Sequence, residues 1–293
     1  MSPPRILDGR ALAEARAPAL AARARQVASR RGRPPRLLLL AFRGRDGEIP
    51  HLQGKVRACA RVGVEAHPVL LDADTDTGAA VSALAAGLQA SDPDGVFVQF
   101  PLAEGVAAAP LAACIPARAD VDAMRPTSIA GEGDGPAATG SGARLAPDGD
   151  TPLTALAMLA LLDDGGVELV GRAGVLVADP DPYHARFREV LVRRGVRMAP
   201  LVSPLDPDVE AAVRRAELVV VSAARPGVVP AGWLAPGSVV VDAGYFNGGG
   251  RGDVDVSGGV AHLAALAPVP GGVGPMTVSA LIEAVVARAE LRA

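Results

Sequence analysis

Aromatic residues are scarce, only 3% of 293 residues, and the net charge is a mere −3. Nothing global therefore favours a nucleic acid or a membrane surface as partner. Cysteine is nearly absent: Cys59 and Cys114 have no metal spacing and are too few for a disulfide framework. No metal site is predicted, and a reducing cytoplasm is the simplest compartment. Long hydrophobic runs are missing too. The stretches 219–224 and 239–243 are strand-sized, well short of a membrane span. The segment Met1-Ser2-Pro3-Pro4-Arg5 has no signal-peptide apolar core.

What the chain does have is a hydrophobic fraction of 49%, mostly Ala, Val and Leu, and room for two domains. Short β-branched or Leu-rich runs alternate with Ala/Arg/Glu-rich stretches. The runs predict strands at 37–42, 65–70 and 96–100, then at 174–178, 196–201, 218–223 and 238–243. Helices are predicted at 11–29, 52–62, 77–90, 154–162, 183–193, 207–216 and 278–291, with a kink at Pro18. Alternating β and α with continuous apolar strands means α/β architecture and parallel sheets covered on both faces. Residues 131–149, rich in Gly, Ala, Pro and Asp, read as a loop or boundary between the two series. The expectation is two α/β domains around a cleft: 1–149 with a C-terminal helix at 275–293, and a Rossmann-like 150–274. The tripeptide Arg251-Gly252-Asp253 is read as a chance match to an adhesion signal.

The densest local signal is Pro268-Val269-Pro270-Gly271-Gly272-Val273-Gly274-Pro275-Met276-Thr277. Glycine permits φ > 0 and close backbone approach, and proline fixes φ and removes a donor. The sequence predicts a shaped, side-chain-poor loop leading into a helix whose first N–H groups can hold a polar ligand. The alternative is a rigid linker. Four polar residues fall at strand ends or helix starts, where α/β sheets bind ligands. Gln99 interrupts an apolar run and can both donate and accept. Asp120 and Asp122, two apart in extended backbone, would share a face. Lys55 starts a helix with apolar neighbours, where a lysine can have a lowered pKa and move protons. The bland alternative for each is a solvated residue.

These residues match a family. From Ile6-Leu7-Asp8-Gly9 to the last helix, the chain resembles the bifunctional methylenetetrahydrofolate dehydrogenase/methenyltetrahydrofolate cyclohydrolase family. Val98-Gln99-Phe100-Pro101-Leu102-Ala103 is similar to the family's Val-Gln-Leu-Pro-Leu-Pro, and Ala119-Asp120-Val121-Asp122-Ala123 to its Lys-Asp-Val-Asp-Gly. Thr151-Pro152 and Gly252-Asp253-Val254-Asp255 match further signatures, and the ten residues from Pro268 to Thr277 are intact. The resemblance implies Lys55 as the catalytic lysine, with Gln99 assisting it and Asp122 hydrogen-bonding the pterin. It implies His51, Pro101, Leu102, Pro270, Gly271, Gly272, Val273 and Gly274 along the folate. It also implies a tetrahydrofolate derivative as substrate and a homodimer. The implied reaction interconverts 5,10-methylene-, 5,10-methenyl- and 10-formyl-tetrahydrofolate.

The chain also departs from the family. His51 stands where the family has Tyr, and Glu48 where it has Ser. The cofactor side, to which Asp179, Ser203 and Tyr245 are assigned, departs further. In place of Gly-Arg-Ser-x-x-Val-Gly-x-Pro, Val177 is followed by Ala178-Asp179-Pro180-Asp181-Pro182-Tyr183-His184-Ala185. No glycine remains to meet a pyrophosphate, and Asp179 falls where an arginine would pair with the 2′-phosphate of NADP. Pro180 and Pro182 remove donors. NADP binding is therefore doubtful, while NAD remains open. Three readings stay in competition: the full bifunctional enzyme, a folate enzyme without NADP, and a non-catalytic folate-binding protein.

Overall fold

The computed structural model describes residues 3–44, 52–125, 151–244 and 250–293. The elements in chain order are β1 (Arg5–Ile6), α1 (Gly9–Arg31), β2 (Arg36–Phe42), α2 (Leu52–Val62), β3 (Glu65–Leu71), α3 (Thr77–Ser91), β4 (Gly95–Val98) and α4 (Ala108–Cys114). They continue with α5 (Leu153–Asp164), β5 (Ala173–Ala178), α6 (Pro182–Arg193), β6 (Arg197–Met198), α7 (Val209–Arg214), β7 (Leu218–Ser222) and β8 (Val229–Pro230). The last are β9 (Val239–Asp242), β10 (Val254–Asp255), β11 (Ala265–Ala267) and α8 (Val273–Leu291). Pro18 lies inside an α1 that runs unbroken.

The described residues form two units. One comprises 3–15 and 154–277, the other 16–125, 151–153 and 278–293. The first unit holds a six-stranded sheet in the order β1-β11-β9-β7-β5-β6, every pairing parallel, and a small parallel pair β10-β8. The second holds a parallel sheet ordered β3-β2-β4. Leu37 to Phe42 are buried without alternation, as a parallel strand covered on both faces requires.

The structure amends the sequence reading in several places. Residues 3–15 group with the six-stranded unit and not with the segment that follows them, because Arg5 and Ile6 pair with Ala265 and Leu266. The strands β1, β8, β10 and β11 have two or three residues each, and Ala265-Leu266-Ala267 has no β-branched residue to announce it. The expected strand at 196–201 shrinks to Arg197–Met198, with only Val202 bridging back to Val177. In the second unit, residues 278–293 are tied to α1 by ion pairs. Glu283, only 2% exposed, accepts from Arg16 at 2.6 Å and Arg23 at 2.8 Å.

Two buried carboxylates organise the edge of the first unit. Asp242 accepts from the backbone N–H of Gly244, Asp253 and Val254 at 3.0, 3.1 and 2.9 Å. Asp253 accepts from Ala223, Ala224 and Arg225 at 2.6, 3.0 and 2.7 Å. The carboxylate of the adhesion-like tripeptide is thus a buried clamp. Burial, followed by the neighbouring Asp253 charge, pushes the Asp242 carboxyl up to about 6 in spite of its backbone donors. A raised carboxyl binds its proton more tightly folded than unfolded, so its contribution to stability grows as pH falls from about 7 to 4 and is lost as pH rises through about 6. Urea unfolding at pH 7 and pH 5 should show this gain, about 1 kcal/mol, in the wild type. Asp242→Asn, which cannot titrate, should lose most of it.

Candidate active site

In α2 the buried positions Leu52, Lys55, Ala58, Cys59 and Val62 follow helical spacing, so Lys55 lies on the apolar stripe. It is 8% exposed. Its Nζ donates to Gln99 Oε1 at 2.6 Å and sits 5.3 Å from the centroid of the Phe97 ring. Gln99 follows β4 directly. Its backbone N–H bonds Leu40 O at 2.8 Å, and its Nε2 donates to Phe100 O at 2.6 Å. Both ends of the amide are thereby fixed, and its carbonyl faces the lysine. Burial lowers the Lys55 pKa to about 8, partly offset by the Asp122 carboxylate. Near neutral pH, a usable fraction of such an amine is an unprotonated base. Cys59, one turn along, is driven by burial up to about 12 and is not a thiolate.

The two aspartates do not share a face as their spacing suggests. Asp120 ends a short 3-10 turn, and the chain bends at Val121 and Asp122 in place of running extended. Asp120, 3% exposed, turns inward and accepts from the N–H groups of Asp122, Met124 and Arg125 at 3.3, 3.1 and 2.8 Å. It builds the bend. Asp122 is left half-buried, and its Oδ1 accepts from Leu153 N, at the first residue of α5, at 2.9 Å. The structure thus pairs Lys55 with Gln99, sets the Asp122 carboxylate where its charge acts on Lys55, and makes Asp120 the support of the bend that carries Asp122. Pro101 is exposed beside Gln99, and Leu102 packs partly against the core of the small sheet. His51 and Glu48 lie outside the described residues.

In the first unit, the glycine-rich stretch is shorter as a loop than expected. The helix begins at Val273, so Val273, Gly274 and Pro275 are its first turn and only 268–272 form the approach. Proline is tolerated there because first-turn N–H groups have no intrahelical partner. Gly272 N bonds Pro268 O at 2.8 Å, and Arg10 N bonds Gly271 O at 3.1 Å. Gly271 has φ +110°, and a Cβ on Gly9 would lie 1.8 Å from the Gly272 carbonyl oxygen. The motif is therefore partly a backbone contact with the start of α1, needing glycine on both sides.

A family model described as the tetrahydrofolate dehydrogenase/cyclohydrolase catalytic domain matches residues 7–122. The NAD(P)-binding domain of the same description matches 152–293. The "Bifunctional protein FolD 1" of Rubrobacter xylanophilus is 35% identical over 293 residues, covering 98% of each chain. The "Bifunctional protein FolD" of Synechococcus sp. strain WH7803 is 32% identical, covering 94% of this chain and 91% of that one. This chain belongs to the tetrahydrofolate dehydrogenase/cyclohydrolase family. Among solved structures, the Trypanosoma brucei methylenetetrahydrofolate dehydrogenase-cyclohydrolase, complexed with NADP and inhibitor, has a TM-score of 0.87 at 25% identity. It is covered to 99% and covers 100% of this chain.

The turn from β5 to α6 reads Asp179-Pro180-Asp181-Pro182 and is rich in carboxylate and proline. Asp181 occupies the N-cap of α6 and accepts from His184 N at 2.8 Å. A carboxylate of the chain itself thus holds the helix start that would face a phosphate. Pro182 follows it with no donor. Asp179 pairs with Arg225 at 2.9 Å, both partly exposed, so its charge is balanced but the guanidinium is engaged. Ser203 caps its own turn, accepting from Leu205 N at 3.3 Å. Tyr245 lies outside the described residues. These groups do not fit a pyrophosphate. Sequence reasoning missed Arg225, which is distant in the chain, and Asp242, whose role depends on six backbone donors shared with Asp253.

Proposed function

We propose that the chain is a tetrahydrofolate one-carbon enzyme acting among the 5,10-methylene, 5,10-methenyl and 10-formyl forms, with Lys55 as its proton-transfer group. The observation that carries this is the buried Lys55–Gln99 pair, in a chain whose family and full-length relatives share that chemistry by name. The methenyl carbon is a cationic centre, and a permanent charge beside it would oppose the substrate. A lysine held near pKa 8 can be neutral there. Water adds to the methenyl carbon, and Lys55 Nζ accepts the proton released. The carbon–nitrogen bond to N5 then breaks as N5 is protonated, leaving the formyl group on N10. Gln99 Oε1 holds Nζ in place through the transfer. Asp122 serves the pterin amino group and ring N–H. Pro101 and Leu102 flank the folate.

The dehydrogenase step is a separate matter. A bound nicotinamide would accept hydride from the methylene carbon, but the β5–α6 turn opposes NADP. NAD, whose ribose hydroxyl could donate to Asp179, is the less disfavoured partner. A cyclohydrolase working without NADP is thus the second reading, favoured by Asp181 at the α6 N-cap. A homodimer in the cytoplasm is the remaining part of the proposal, and light scattering decides its oligomeric half. No described helix is long and apolar enough to cross a membrane.

The test is methenyl-tetrahydrofolate hydrolysis followed by absorbance, with folate binding by calorimetry. Wild-type turnover is expected. Folate binding without turnover would leave only a binding protein. Asp122→Ala should weaken binding at least tenfold, since a charge-assisted hydrogen bond contributes about 1.5–3 kcal/mol. Unchanged affinity would remove Asp122 from the site.

A further inference from the structure

The six-stranded sheet changes direction at β5. From β5 the chain adds β6 on one side, then returns to add β7 on the other. The carboxyl ends of β5 and β7 therefore border the crevice where open α/β sheets place ligands. Three side chains meet there in series. Ser222, the last residue of β7, lies with its Oγ 3.2 Å from His184 Nε2. His184 Nδ1 lies 2.9 Å from Asp181 Oδ2. We propose that Asp181, His184 and Ser222 form a second catalytic site, with Ser222 as nucleophile toward small activated acyl esters.

The hydrogen-bond directions follow from the donor inventory. A carboxylate only accepts, so the proton of the imidazole is on Nδ1. In the neutral ring Nε2 then carries the lone pair, and the Ser222 hydroxyl donates to it. That is the tautomer in which His184 is a base for Ser222. The ring is held from three sides. Asp181 grips the backbone of His184 as well as its ring, through Oδ1 to N at 2.8 Å. The Tyr183 ring meets it edge-on, centroids 5.4 Å apart, and the Tyr183 hydroxyl is anchored to Thr154 Oγ1 at 2.9 Å. A helix cap alone explains the Asp181–His184 contacts. It does not explain why the far nitrogen meets a serine from a different strand.

The surroundings also set the substrate class. The N–H groups of Ala223, Ala224 and Arg225, which follow the nucleophile, all bind Asp253. They are not free to hold an oxyanion, and each such donor is worth about 10²–10³ in rate. Only esters with a good leaving group should react, and slowly. In the step, Ser222 Oγ bonds to the acyl carbon and its proton passes to His184 Nε2. The bond to the leaving oxygen breaks, and that oxygen takes the proton. Water then adds to the acyl carbon, its proton passing to His184. The bond to Ser222 Oγ breaks, and the serine recovers the proton from His184.

A fluorophosphonate probe tests this directly: Oγ bonds to phosphorus, and fluoride leaves with the proton passed through His184. We expect an adduct on Ser222 by peptide mass spectrometry, together with slow p-nitrophenyl acetate hydrolysis. Both should be absent in Ser222→Ala. Asp181→Asn keeps a good N-cap while removing the charge that orients the ring. It should label at least about tenfold more slowly with an unchanged melting temperature. His184→Gln, compared at a temperature where circular dichroism shows it folded, should not label. An unlabelled Ser222 in the folded wild type overturns the proposal, as does labelling equally fast in either variant.

Discussion

Lys55→Met is expected to abolish folate turnover and to make the protein more stable. Losing a positioned proton-transfer group costs about 10²–10⁴ in rate, and Gln99 cannot replace it because an amide does not titrate. The stability gain has a separate cause. Lys55 is buried, and its pKa is lowered from 10.5 to about 8. Holding its ammonium at pH 7 therefore costs up to about 3 kcal/mol against the unfolded chain. Between pH 8 and 10.5 the unfolded state binds more protons, so wild-type stability should climb across that window. Methionine does not titrate, and its variant should start higher and lack the climb. Thermal scans at pH 7 and 10 read both effects. Full activity in Lys55→Met would end the assignment, and a drop in melting temperature would show that the lysine is not under strain. The pKa itself is measurable with little ambiguity, because Lys55 is the only lysine in the chain. After ¹³C reductive methylation, the single side-chain resonance should titrate near 8, and lower still in Asp122→Asn.

The sole lysine was a signal that the sequence reading did not use: 28 arginines and one lysine make up the 29 basic residues. A chain that uses arginine everywhere else has kept one cation able to lose its proton. The helix carrying it was legible because its stripe repeats at helical spacing, and Gln99 because it breaks a strand's apolar run. Asp120 was misread because spacing alone assumes a backbone, and its own side chain bends that backbone away from the extended form. The start of α8 was misread for the opposite reason. Gly274 and Pro275 argue against a helix interior but cost little in its first turn. Strands of two residues such as β1 carry no periodicity at all, and their existence depends on a partner over 250 residues away. The Asp181–His184–Ser222 series was invisible for the same reason: Ser222 lies on another strand.

NADPH is expected to bind at millimolar concentration or not at all. A nucleotide pyrophosphate at the start of α6 would have to displace Asp181 from its cap or lie beside its charge. Two lost charge-assisted hydrogen bonds, at about 1.5–3 kcal/mol each, weaken binding by roughly 10²–10⁴. Arg225 supplies positive charge nearby, but its guanidinium is held by Asp179, and freeing it would expose that carboxylate to the 2′-phosphate. NADH lacks the 2′-phosphate and avoids this second conflict, so it should bind more tightly than NADPH, the reverse of a phosphate-reading site. The causes separate by substitution. Asp181→Ser keeps a good N-cap and removes the charge, and should improve both nucleotides. Asp179→Ala releases Arg225 and should improve NADPH more than NADH. Fluorescence titration of the wild type and both variants, beside methylene-tetrahydrofolate oxidation with NAD and NADP, reads each effect. Micromolar NADPH affinity with NADP-dependent turnover in the wild type would show that the phosphate finds its donors elsewhere and that the altered turn does not govern cofactor use.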